Sequence, residues 1–275
     1  MSDREGRFAG DRLFYRVWDT TAPVASVVLA HGYAEHSGRY EHVGVALAAA
    51  GFRTWALDHH GHGHSLGDRA DIRSLGEAVS DVDGFVDLVV AEARDAPVFL
   101  VGHSMGGLIA TAYAEDHGDR LRGLVLSGAA VAVNPTLEAM REMDEIPHVP
   151  LAPMVSRDPE VVAAYENDPL NYLGPMPRAM LDAFADIALV RDRLAEITVP
   201  VLVMHGGSDA LVPAQAAEDI AKGVSSDDVT LKVWPELYHE IFNEPEQAEV
   251  IGTMIDWLGA HVDGGSARRR EGEGA

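Results

Sequence analysis

The chain has 275 residues, 47% apolar and 24% charged, enough to bury a large core, and carries a net charge of −23 with no cysteine. The acidity argues against nucleic-acid binding, which leaves a basic footprint, and against docking on anionic lipid by charge alone. The lack of cysteine excludes disulfides, thiol catalysis and thiolate-held metals.

Residues 1–7 are polar and no apolar run follows them, so no signal peptide is expected. No stretch approaches the roughly 18 apolar residues of a membrane span, and a cytoplasmic protein is the expectation. Residues 24–30 are a near-continuous apolar run that reads as a buried strand. A helix over 43–50 and a strand over 52–57 follow. Residues 77–93 place Val79, Val82, Val86, Val89 and Val90 at helical spacing with acids opposite. Pro97 opens a strand over 98–101, where its missing donor is harmless. Next come a helix over 108–115 and a strand over 121–126. Pro200 opens a strand over 201–204, followed by a helix over 214–222, a strand over 229–234 and a helix over 245–258 with Pro245 near its first turn.

Strands alternating with helices imply right-handed parallel crossovers and a doubly wound, mostly parallel α/β sheet. Residues 129–192 break the rhythm. They are rich in proline and methionine and read as an inserted helical cap. The expected organisation is a core of 1–128 and 193–262, a cap of 129–192, and a disordered tail over 263–275, in which Arg268, Arg269 and Arg270 are solvated.

Gly102-His103-Ser104-Met105-Gly106 matches G-x-S-x-G, with an apolar strand before it and a helical pattern after it. That context is the nucleophile elbow of the α/β-hydrolase fold, in which a sharp turn lifts the serine Oγ above the sheet. Glycines two residues either side of Ser104 are required because the turn leaves no room for side chains. A serine hydroxyl needs a base to take its proton. Thirteen histidines are available, and position selects His239, beyond the last strand and before the last helix. Asp209, in the loop after strand 201–204, is the expected acid that orients the imidazole. Glu236 and Glu240 lie too near His239 in sequence for that role, and Asp227 and Asp228 precede the last strand, at the wrong end of the sheet. The oxyanion donors are expected to be the backbone N–H groups of Met105 and Tyr33. The run Asp58-His59-His60-Gly61-His62-Gly63-His64-Ser65 could suggest zinc. Glycine-spaced loop histidines offer no defined ligand geometry, so no metal and no cofactor are expected.

The set His31-Gly32-x-x-Glu35-His36-Ser37-Gly38-Arg39-Tyr40, Asp58-x-x-Gly61-x-Gly63-x-Ser65, Gly102–Gly107 and Tyr238-His239-Glu240 resembles the monoacylglycerol lipases, the bacterial ones most closely, over about residues 24–258. The resemblance implies cofactor-free hydrolysis of a monoacylglycerol to glycerol and fatty acid, with Ser104, Asp209 and His239 as the triad. It also implies a glycerol site near Glu35, Arg39 and Tyr165, although Glu35 and Arg39 could equally pair to hold their own loop. Apolar cap residues (Met140, Met143, Ile146, Val149, Leu151, Met154 and Val155) could line an acyl tunnel, touch a lipid surface transiently, or merely pack the cap onto the core. Two departures from the family stand out: Ala34 occupies a position usually held by glycine, and the stretch between residues 134 and 156 is shorter than in close relatives. Rival readings are a carboxylesterase or lysophospholipase with other acyl or head-group preference, a peptidase or amidase, and a non-catalytic ligand-binding relative.

Overall fold

The structure, a computed structural model, describes residues 2–93 and 96–263. Eight strands form one sheet: β1 (Arg4–Phe8), β2 (Leu13–Trp18), β3 (Ala25–Ala30), β4 (Phe52–Leu57), β5 (Val98–His103), β6 (Gly123–Ser127), β7 (Val201–Gly206) and β8 (Val229–Trp234). Their order is β1-β2-β4-β3-β5-β6-β7-β8. β2 pairs antiparallel with β1 and β4, and every later pairing is parallel.

The central strands read as unbroken apolar runs because both faces of the sheet are covered. Side chains alternate between two cores. Val28, Leu100, Leu124 and Val203 face one side, packed under α2 (Leu75–Ala93) and α3 (Met105–His117) through Val82, Phe85, Ile109 and Tyr113. Val27, Phe99, Val125 and Leu202 face the other, under α1 (Glu41–Ala49) and α10 (Gln247–His261) through Leu47, Met254 and Leu258. Between β6 and β7 stand five short helices: α4 (Pro135–Arg141), α5 (Ala152–Val155), α6 (Pro159–Asn167), α7 (Arg178–Ala185) and α8 (Ile187–Asp192). The helix α9 (Gln215–Gly223) joins β7 to β8.

The sequence reading omitted β1 and β2. β1 pairs only with β2, the sheet partner of β2 is β4, well downstream, and Arg16 interrupts the apolar run of β2. Helix α10 begins at Gln247, so Pro245 lies just outside it rather than in its first turn. Helix α3 begins at Met105, three residues before the expected start, because the turn at Ser104 passes directly into helix. Residues 264–275, most of the expected tail, lie outside the described residues.

Helix α3 carries a conspicuous buried acid. The Glu115 side chain is 2% exposed, its Oε1 has no partner, and Arg193 stands 3.6 Å away while bonding Asp116. Burial pushes the Glu115 carboxyl up to about 8, against the pull of Arg193. The folded state therefore binds a proton that the unfolded state releases above about 4.5. Stability from this site is intact below that value and is lost as pH rises towards 8. Glu115→Gln is expected to raise the melting temperature more at pH 9 than at pH 5. A gain confined to pH 5 would contradict this.

Candidate active site

Four loops at the carboxyl ends of β3, β5, β7 and β8 meet above the sheet, where ligands collect in open α/β folds. Ser104 turns the chain from β5 into α3 with φ 53° and ψ −117°, a conformation in which a non-glycine residue is strained. The flanking glycines make the turn possible. A Cβ on Gly106 would stand 2.2 Å from the Ala30 carbonyl oxygen, and one on Gly102 would stand 2.4 Å from that of Gly106.

His239 Nε2 lies 2.8 Å from Ser104 Oγ, and His239 Nδ1 lies 2.7 Å from Asp209 Oδ2. The Asp209 side chain is fully buried and held by four donors. Leu211 N–H and Val212 N–H donate to Oδ1, and His205 Nε2 reaches Oδ2 at 3.2 Å beside the Nδ1–H of His239. His205 Nε2 also faces the Val212 carbonyl at 2.9 Å, so that nitrogen must carry the proton. Burial would raise the Asp209 carboxyl. The His239 charge and these hydrogen bonds outweigh it and hold the group well below the usual carboxylate range. An ionised Asp209 fixes the proton on His239 Nδ1 and leaves Nε2 free to accept from the serine.

The loop after β3 carries Tyr33. Neither its N–H nor that of Met105 has a hydrogen-bond partner among the described residues. Gly32 lies against Ser104, close enough that a Cβ would approach the serine Cβ to 3.2 Å. Ala34 adopts φ 65°, the left-handed conformation in which alanine costs about 1 kcal/mol. Its carbonyl accepts from Tyr172 N–H, which helps to hold it there.

Glu35, Arg39 and Tyr165 come together, and Glu240 joins them. Glu35 Oε1 accepts from Gly32 N–H (2.6 Å) and from Tyr40 O–H (2.7 Å). Arg39 donates to Glu35 Oε2 at 2.8 Å and, through both terminal nitrogens, to Glu240 at 2.5 and 2.7 Å. The Tyr165 ring stacks 4.6 Å from the guanidinium. Glu35 and Arg39 do pair, so the loop-holding arrangement is present. One buried cation is shared by two buried carboxyl groups, and burial raises the Glu35 carboxyl against the pull of Arg39. Burial opposes ionisation of Glu240, but bidentate Arg39 holds its carboxyl below the usual range. His239 is likewise depressed by burial, and the charges of Asp209, Glu240 and Glu35 together raise it above its ordinary value. His103, whose ring lies 4.8 Å from that of His239, is driven by burial down to about 3 and stays neutral.

The histidine run forms a structural turn. Asp58 accepts from Ser37 N–H and His64 N–H at 2.8 Å, and Ser65 O–H returns to the Asp58 carbonyl. His59 and His62 are buried and pushed by burial to about 3 and about 4. Among the described residues no group of three or more His, Asp or Glu could hold a metal ion.

Ser104 and His239 open into a cavity of about 490 Å³. Met140, Val149, Leu151, Met154 and Val155 line it, with Met176, Phe184 and Ile187. Met143 and Ile146 do not, and Met143 is exposed. Glu35, Tyr165 and Glu240 form a polar end. Sequence reasoning met Glu240 in the Tyr238-His239-Glu240 motif and as a rival to Asp209 but gave it no role, and it overlooked His205. Both act through long-range or loop contacts that residue type does not announce.

Residues 21–246 match the family described as serine aminopeptidase, S33. The monoacylglycerol lipase of Mycolicibacterium smegmatis is 42% identical over 265 residues, covering 92% of this chain and 95% of that one. The phospholipase YtpA of Bacillus subtilis is 34% identical, covering 85% and 94%. Among solved structures, the monoacylglycerol lipase of Paleococcus ferrophilus superposes with a TM-score of 0.79 at 29% identity, covering 90% of this chain and 99% of that one.

The charge arrangement predicts the titration of His239. Its midpoint, followed by NMR of the ring nitrogens, is expected above the ordinary 6.5, and Glu240→Gln is expected to lower it. An unmoved midpoint would show that Glu240 exerts no electrostatic effect on the imidazole.

Proposed function

This chain belongs to the serine aminopeptidase S33 family and, within it, to the monoacylglycerol lipases, and we propose that it hydrolyses monoacylglycerols to glycerol and fatty acid through an acyl-enzyme on Ser104. The observation that carries this reading is the Ser104–His239–Asp209 hydrogen-bond chain opening into a mostly apolar cavity whose lining includes the Glu35, Tyr165 and Glu240 cluster. In the proposed mechanism, His239 takes the Ser104 proton as Oγ attacks the ester carbonyl. The N–H groups of Met105 and Tyr33 receive the oxyanion, and His239 returns the proton to the leaving glycerol. Water activated by the same imidazole then cleaves the acyl-enzyme. Because His239 must be neutral to act, activity falls as pH drops through its raised pKa.

Residues 129–192 act in this reading as a cap on a core of 1–128 and 193–262, with the acyl chain among the cap residues and glycerol near Glu35, Arg39 and Tyr165. A cavity of about 490 Å³ suits a single small ligand. The polar end bears on the head group. Arg39, which does not line the cavity, stands behind this end and is consumed by Glu35 and Glu240, which favours a neutral glycerol over a phosphate. The same pairing leaves neither carboxylate free to hold the α-ammonium of a peptide. Val149 and Leu173 line the cavity and are exposed, apolar residues suited to transient contact with a neutral lipid surface. Among the described residues no helix is long and apolar enough to cross a membrane.

Long-chain 1-monoacylglycerols are expected to be turned over with higher kcat/KM than lysophosphatidic acid or short p-nitrophenyl esters. Ser104→Ala is expected to lose at least roughly 10⁴-fold of that activity while folding normally. Preference for lysophosphatidic acid, or activity surviving in Ser104→Ala, would overturn the reading.

A further inference from the structure

The chain on either side of His239 is held by the segment that covers the site, not by the core alone. Glu240 N–H donates to the Val155 carbonyl at 2.8 Å, so the residue after the imidazole is bonded to the end of α5. The residue before it is held through a carboxylate. Glu244 is fully buried, and its Oε1 accepts from Tyr238 N–H at 2.8 Å and from Arg157 N–H at 3.2 Å. Its Oε2 accepts from Arg157 Nε at 2.9 Å. Ser156 O–H completes the seam by donating to the Asn243 carbonyl at 3.0 Å. Three consecutive cap residues, Val155, Ser156 and Arg157, therefore bracket the histidine loop.

The far end of the same stretch, past α6, is tied to the loop that carries Tyr33. Tyr172 N–H donates to the Ala34 carbonyl at 2.9 Å, and His36 Nε2 lies 2.9 Å from Asp168 Oδ2. Midway, Tyr165 lies over Arg39, whose guanidinium joins Glu35 on one loop to Glu240 on the other.

We propose that residues 155–172 form a strap that sets the position of His239 relative to Ser104, with Glu244 and Arg157 as positioning residues at its anchored end. Neither residue lines the cavity, and neither bonds a triad side chain. They act by fixing the backbone of residue 238 and the strap beside the Val155 carbonyl that holds residue 240, and through these the approach of Nε2 to Oγ. A carboxylate buried in this seam is costly unless all of its acceptor sites are used, so the register between strap and histidine loop is stiff. The wall of the cavity and the base are then one mechanical unit, because Val155 both lines the cavity and accepts from Glu240. The inference deepens the hydrolase reading and rests on Ser104 and His239 reacting as described above.

The test uses the rate at which a fluorophosphonate labels Ser104, which reads serine activation without requiring the natural substrate. Arg157 is partly exposed, so Arg157→Met is expected to fold, with melting temperature as the control. It is expected to slow labelling roughly tenfold and to lower kcat with KM unchanged, because a small displacement of a base is enough for such a loss. Arg157→Lys restores the charge and is expected to recover part of the rate. Glu244→Gln, which keeps the shape but loses the charge pair, is expected to fall between parent and Arg157→Met. Labelling of folded Arg157→Met within twofold of the parent, or an effect on KM alone, would overturn the proposal. Lysine rescuing nothing would do the same. A parent protein that labels but leaves monoacylglycerols intact would remove the substrate reading and spare the strap. A parent that does not label would remove both.

Discussion

Two hydrogen bonds hold the account together: Ser104 O–H to His239 Nε2, and His239 Nδ1–H to Asp209. They join residues 135 and 30 positions apart in the chain. A serine hydroxyl is a weak nucleophile by itself, so these contacts decide whether the cavity above is a binding site or a reaction site. Every conspicuous feature around them answers one requirement, that three loops from three strands agree in position. The strained Ser104, the glycines that admit it, and the four donors on Asp209 all serve that requirement.

The surrounding electrostatics are arranged for a histidine that gains a proton during reaction. Asp209 is kept ionised against burial, and Glu240, held charged by Arg39, adds negative potential beside the imidazole. Burial keeps neighbouring His103 neutral, so it adds no competing positive charge. The same buried ion cluster links two loops, so charge tuning and geometry are carried by the same side chains. Such a cluster is costly to desolvate, and its retention here fits a role in fixing position rather than in raising stability.

Much of this was legible in the chain alone, for identifiable reasons. Strands β4 and β8 begin and end where their apolar and β-branched residues do, and β3 differs from its expected limits by one residue. Chain order and strand–turn–helix context singled out Ser104, Asp209 and His239, which the structure brings within hydrogen-bond distance. What escaped was long-range. The hairpin β1–β2 is defined by pairing with β4, and Glu240 meets Arg39 across 201 residues of sequence. Arg157 meets Glu244 across 87. Residue type predicts a charged side chain in each case, and only the fold decides which opposite charge it meets. The helices between β6 and β7 were anticipated as a helical insertion, but which side chains would face the cavity was not readable. Met140 does and Met143 does not, because α4 ends at Arg141.

The central claim is that one hydroxyl is activated by one imidazole. Peptide mass spectrometry of the protein after reaction with a fluorophosphonate tests it most directly. The account predicts a single adduct per chain, on Ser104, that fails to form in His239→Ala. An adduct on another residue, or equal labelling without His239, would contradict it.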